Sequence, residues 1–154
     1  MFRGNRRALV ERRISEGFDY IRKSDPIRIV HMDPFYFIVL YTTVLMIGIK
    51  GASPFAFNLH GWSTRTTLDL VRSFGFSVHR EKRLYDTVKN RKTNRWNKIY
   101  YRPLCLNGNI IDENTWIDGR GMPCGYNYST FAALSYVTHR IKSADPWFCT
   151  FKAI

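Results

Sequence analysis

Between Asp33 and Lys50 the chain runs sixteen residues, Pro34 to Ile49, without a charged side chain. Apart from Lys50, no Asp, Glu, Lys or Arg follows until Arg65, in a chain that carries 24 Lys and Arg against 12 Asp and Glu. As an α-helix rising about 1.5 Å per residue, residues 34–49 fall short of the roughly 20 residues that cross a bilayer core. Continued through Lys50 toward Phe57, with the Lys50 ammonium snorkelling to the headgroups, the segment is long enough. Asp33 can cap the first free N–H groups, and Pro34 suits the first helical position. Aromatics crowd both edges (Phe35, Tyr36 and Phe37; Phe55, Phe57 and Trp62), as in an interfacial belt. The Val, Ile, Tyr and Thr content also suits a buried strand. Length and flanks together favour a membrane span, with Gly51 and Pro54 as interruptions near its far end.

The 154 residues leave room for one domain beside such a span. Three segments follow: a basic amphipathic helix and connector over 1–33, a transmembrane segment over 34–57, and a basic, aromatic-rich extramembrane segment over 58–154. The expected fold class is mainly α: one transmembrane helix, an N-terminal amphipathic helix, and an extended, mostly helical or irregular C-terminal segment containing a short β-hairpin. In the first segment Val10, Ile14, Phe18 and Ile21 share a helical face among seven Arg and Lys. Such Arg-rich amphipathicity suits a mitochondrial presequence, but Glu11, Glu16 and Asp19 do not suit a cleaved one. The segment reads as a mature helix ending at Asp25-Pro26. Gly48, Gly51 and Ala52 would let a neighbouring helix approach the span closely.

Beyond the span, Ser63 can cap a short helix carrying Leu68, Val71 and Phe74 and stopped by Gly75. Residues 79–102 are the most basic stretch, with nine Lys or Arg against Glu81 and Asp86. Leu104-Cys105-Leu106, Asn107-Gly108 and Ile110-Ile111 read as a hairpin on an Asn-Gly turn. Residues 112–128 form a loop, and Ser129 starts a last helix with Phe131, Leu134, Val137 or Thr138, and Ile141 inward. Aromatics scattered among charges, as in Arg91, Arg95, Trp96, Tyr100 and Tyr101, are the materials of a docking surface. A net charge of +12 calls for acidic partners: nucleic acid, anionic lipid or acidic protein surfaces.

No constellation for catalysis, metal or cofactor binding emerges. His31, His60, His79 and His139 stand at no ligand spacing. Asp112-Glu113 are neighbours in a turn, where two carboxylates rarely face one substrate. Gly119–Gly125 is glycine-rich without a strand–helix context. Cys105, Cys124 and Cys149 contain no CxxC pair and read as buried thiols, with a Cys105–Cys124 bridge as the alternative in an oxidising compartment. Asn127-Tyr128-Ser129 is a formal glycosylation sequon, the single feature that favours a single-pass enzyme or secretory-pathway protein.

A basic helix, one span opened by Asp33-Pro34 and a basic aromatic tail resemble, in architecture, the supernumerary single-span subunits of mitochondrial oxidative-phosphorylation complexes. The similarity covers mainly residues 1–60 and is nearest to subunit f of the ATP synthase membrane sector; the long tail departs from it. The resemblance implies a non-catalytic accessory subunit of the mitochondrial inner membrane, N-terminus on the matrix side, serving the proton-translocating sector through assembly, dimerisation or lipid binding. Its partners would be other subunits and cardiolipin, with Arg22, Lys23, Arg28 and Lys50 at headgroup depth. An accessory subunit of respiratory complex I, III or IV has the same design. The alternative from a different class is an RNA-binding mitochondrial ribosomal protein, whose stretch 79–102 would hold the phosphate backbone and stack bases. That alternative leaves the uncharged run without a purpose.

Overall fold

The computed structural model describes residues 4–22, 24–82, 84–124 and 134–141. The uncharged run is a β-hairpin. Strands β2 (Phe35–Leu40) and β3 (Thr43–Ile49) pair antiparallel across a turn at Tyr41-Thr42. With β1 (Ile27–Met32), β4 (Ala56–Phe57) and β10 (Ile117–Asp118) they form a five-stranded antiparallel sheet in the order β1-β2-β3-β4-β10. The expected mainly α fold is therefore corrected to one richer in strand than in helix. Among the described residues no helix is long and apolar enough to cross a membrane.

The physical reason lies in burial on both faces. A strand covered on one side alternates apolar and polar residues; a strand covered on both sides reads as an unbroken apolar run. Seven of the sixteen residues from Pro34 to Ile49 are β-branched, which favours the pleated backbone. On one face Ile27, Ile29, Ile38, Leu45, Met46 and Phe57 pack with Val10, Leu68, Val71 and Phe74. On the other, Val30, Phe37, Val39, Val44 and Ile47 pack with Trp116, Val137 and Ile141. Pairing shifts between Ile38 and Val39, where Ile38 faces Met46 but Val39 faces Val44. This bulge leaves Leu45 unopposed and sends consecutive Leu45 and Met46 into the same cluster.

Helix α1 (Gly4–Glu16) covers the first face with Val10 and Ile14. It ends at Gly17, φ 79, eight residues before Asp25, so the four-residue apolar face is not one helix. Phe18 points to solvent, and Ile21 packs against the second face. Arg13 Nη1 meets the buried Asp25 carboxylate at 3.0 Å and lies 3.6 Å over the Tyr20 ring, fastening α1 to the start of β1. Helix α2 (Arg65–Ser73) joins the first face. Its cap is Thr64, one residue after Ser63, with Oγ1 accepting from Thr67 N–H at 3.3 Å. Residues 134–141 form α3, which supplies Val137 and Ile141 to the second face.

A smaller sheet places β8 (Leu104–Leu106) between β5 (His79–Arg80) and β9 (Asn109–Ile110). β8 and β9 close on Asn107 and Gly108, both left-handed at φ 51 and 80, as an Asn-Gly hairpin turn requires. Among the described residues the remaining strands, β6 (Leu84–Lys89) and β7 (Trp96–Tyr101), pair only with each other.

Candidate nucleic-acid interface

The β6–β7 ribbon is built from the basic stretch. In β7, Trp96, Lys98 and Tyr100 stand two residues apart and so fall on one side of the strand. Six residue pairs run from Leu84 opposite Tyr101 to Lys89 opposite Trp96. Asn90 makes the turn: its N–H donates to Arg95 O at 2.8 Å, its carbonyl accepts from Asn94 N–H at 2.8 Å, and its side-chain Oδ1 accepts from Lys92 N–H at 2.9 Å. Asn94 takes φ 58, which asparagine tolerates better than most residues.

The two feet of the ribbon are tied into the body. β5 runs into β6 and β7 runs into β8, and β5 pairs with β8 through His79–Cys105 and Arg80–Leu104. Glu81 N–H donates to Pro103 O at 2.8 Å, and Arg80 Nη1 donates to Arg102 O at 3.1 Å. Leu104 and Cys105 are buried. Burial pushes the Cys105 thiol above its ordinary range, as does its neighbour Glu81.

Beyond the feet every residue from Thr87 to Arg102 is exposed. Opposed residues share a face, so Thr87, Lys89, Trp96, Lys98 and Tyr100 lie on one side, and Val88, Asn97, Ile99 and Tyr101 on the other. Trp96 and Tyr100 leave 64% and 56% of their surface to solvent. Exposed apolar surface rimmed by polar residues is a mark of interaction sites when it is contiguous. Arg91 and Lys92 occupy the turn, and Arg95 precedes β7. The first side and the tip therefore present cations interleaved with aromatic faces.

Of the five residues expected to dock a partner, the structure gathers all on this ribbon: Arg91 and Arg95 at the tip, Trp96 and Tyr100 on one face, Tyr101 on the opposite face. The expected headgroup residues are not gathered. Arg22 is exposed beside Tyr20, Arg28 is buried in β1 with Nη1 donating to Tyr41 O at 2.7 Å, and Lys50 lies in the turn after β3. Lys23 falls outside the described residues. Gly48, Gly51 and Ala52 lie on no helix. A Cβ on Gly48 would collide with the Tyr36 ring, Gly51 turns at φ 90, and Ala52 O accepts from Tyr36 Oη at 2.6 Å. Burial, reinforced by Glu11, pushes the Tyr36 phenol up to about 12.

The remaining candidates stay apart. His79 is on β5, His139 on α3 and His31 on β1; among the described residues no His, Cys, Asp and Glu group could hold a metal. His60 Nε2 donates to Val44 O at 2.9 Å, edge-on to Trp116. Burial lowers its pKa, partly opposed by that carbonyl. Asp112 Oδ1 accepts from Asn114 N–H, while Glu113 O accepts from Gly61 N–H. Asp118 organises the glycine-rich loop by accepting from Arg120 and Met122 N–H groups. Cys105 and Cys124 are unbridged. Ser129, Phe131, the sequon and Cys149 fall outside the described residues.

Comparison with known proteins finds no family model, no curated protein and no solved structure that matches this chain. The likeness to single-span ATP synthase subunits is overturned: the segment that carried it is the centre of a sheet. The single-pass, transmembrane placement in the mitochondrial inner membrane falls with it, because among the described residues no helix is long and apolar enough to span a membrane.

Proposed function

We propose that this chain is a nucleic-acid-binding protein that holds single strands on the β6–β7 ribbon. The observation that carries this reading is a two-stranded ribbon, exposed on both sides, that interleaves Trp96, Lys98 and Tyr100 on one face below a tip of Arg91, Lys92 and Arg95. Cations neutralise phosphates and release condensed counterions; exposed rings take the π-faces of bases that are not already stacked in a duplex. Trp96 and Tyr100 stand about 13 Å apart along β7, with Lys98 between them to meet the intervening backbone. The RNA alternative raised from the sequence had one fault, an uncharged run with no purpose. Its role as core hairpin removes that fault.

The test is fluorescence anisotropy with labelled single-stranded RNA and DNA 16-mers at several salt concentrations. Log affinity should fall linearly with log salt, at a slope of about −0.7 for each phosphate neutralised. Reversing the tip with Arg91→Glu, Lys92→Glu and Arg95→Glu should abolish binding and flatten the slope. Trp96→Ala should weaken binding by about 5- to 100-fold and leave the slope unchanged, since stacking is worth about 1–3 kcal/mol per base. Wild-type protein that fails to bind at low salt, or binds equally well with the tip reversed, refutes the reading.

A further inference from the structure

A cavity of about 500 Å³ opens beside the β2–β3 turn. Its floor is apolar, made by the buried Leu40, Leu45 and Leu59. Tyr41 and Trp62 border it and leave 63% and 61% of their surface to solvent. Thr66 adds a hydroxyl-bearing side chain to the wall, and no acidic residue lines the space among the described residues.

Tyr41 holds a left-handed backbone, φ 57, that a bulky residue rarely adopts. It is fixed from both sides: Tyr41 N–H donates to Pro26 O at 2.7 Å, and the buried Arg28 donates to Tyr41 O at 2.7 Å. Strain over-determined in this way gathers at ligand clamps. The cavity's border is also linked through the chain to the foot of the ribbon. Trp62 precedes Ser63, whose Oγ accepts from Arg80 Nη2 at 3.1 Å, and Arg80 in turn reaches Arg102 O on the other foot. The foot of the ribbon thus touches Ser63, the residue that follows Trp62.

We propose that this cavity receives one unstacked base of the strand bound by the ribbon, an assignment that rests on the nucleic-acid reading and deepens it. A base is flat, aromatic and edged with hydrogen-bonding groups; bordering rings, a leucine floor and a threonine hydroxyl match those properties in turn. The volume falls within the range of about 300–1,000 Å³ typical of small-molecule pockets. Arg80 and Arg102 supply positive charge for the backbone between ribbon and cavity.

Two measurements test the proposal. Trp62→Ala and Thr66→Trp, the first emptying the wall and the second filling the mouth, are compared with wild type for binding a labelled single-stranded 16-mer and an abasic sugar–phosphate oligomer of equal length. Each variant should weaken the base-bearing oligomer by about 5- to 50-fold and leave the abasic one unchanged. Equal affinity of wild type and both variants for the base-bearing oligomer overturns the cavity while leaving the ribbon reading intact. Separately, uridine and adenosine monophosphates are titrated against wild type and Trp62→Phe. A saturable fluorescence quench that disappears in Trp62→Phe supports the cavity; its absence from wild type overturns it. Should wild type bind no oligonucleotide and yet show that quench, the ribbon reading fails and the cavity stands as a nucleotide site.

Discussion

The hairpin β2–β3 and the hairpin β6–β7 each pair six residues of one strand with six of the next, and their surroundings are opposite. The first is covered on both faces, with Phe37, Val39 and Ile47 in one cluster and Ile38, Leu45 and Met46 in the other. The second is bare from Thr87 to Arg102. An isolated two-stranded hairpin is marginal in water. The ribbon stands because its feet are clamped by the β5–β8 pairing and its turn by Asn90. Backbone pairing alone thus does not distinguish a buried hairpin from an exposed one; side-chain charge does. No charge interrupts the first hairpin, whereas the second carries Lys89, Arg91, Lys92, Arg95 and Lys98.

That contrast can be broken in two ways. Truncation at matched positions comes first. Phe37→Ala should cost about 3–5 kcal/mol by leaving a cavity under the sheet, whereas Val88→Ala on the ribbon should stay within about 0.5 kcal/mol. Urea midpoints at constant m would show it, and comparable losses at both sites would mean that the ribbon is packed. The second is excision. Replacing residues 85–100 by a short Asn-Gly turn should leave thermal unfolding within a few degrees of wild type and reduce oligonucleotide affinity at least about 100-fold, the combined worth of several phosphate contacts. A chain that no longer folds would place the ribbon in the core instead.

The smallest effect concerns His60. Its pKa lies below the ordinary 6.5 because burial disfavours the imidazolium. Below 6.5 the unfolded chain takes up the proton before the folded one does, so stability is complete above that value. It is lost as pH falls toward the lowered folded value. His60→Gln should flatten this part of the profile, read from urea midpoints between pH 5 and 8. An unchanged slope would assign the pH dependence to other groups.

Parts of the fold were legible in the residues. Asn107-Gly108 marked its hairpin because only a few residue types accept two successive left-handed conformations. Leu68, Val71 and Phe74 marked α2, with the cap one residue later than Ser63 because the Thr64 hydroxyl reaches Thr67. That Arg91, Arg95, Trp96, Tyr100 and Tyr101 form a group of aromatics among cations was also visible. Their arrangement was less so. The segment was expected to be mostly helical or irregular, and its pairing into two strands about a turn at Asn90 came only with the structure. The bare stretch looked irregular because no apolar face orders it against the body. The run 34–49 misled for the opposite reason: apolar residues on both faces erase the alternation that separates strand from helix.

By itself the sequence determined where charge is excluded and where it gathers, because burying ions without partners is too unfavourable for residues 79–102 to enter a core. It also determined the local turns, since positive φ selects asparagine and glycine. Only the tertiary structure decided what the uncharged run is. A sixteen-residue apolar segment can satisfy its backbone within a helix or across a sheet. The choice rested on β1 and β4 pairing with its two edges while α1, α2, α3 and Trp116 covered its faces. With those contacts made, every apolar side chain of the hairpin interior had a place away from water, and a lipid bilayer was not needed to supply one.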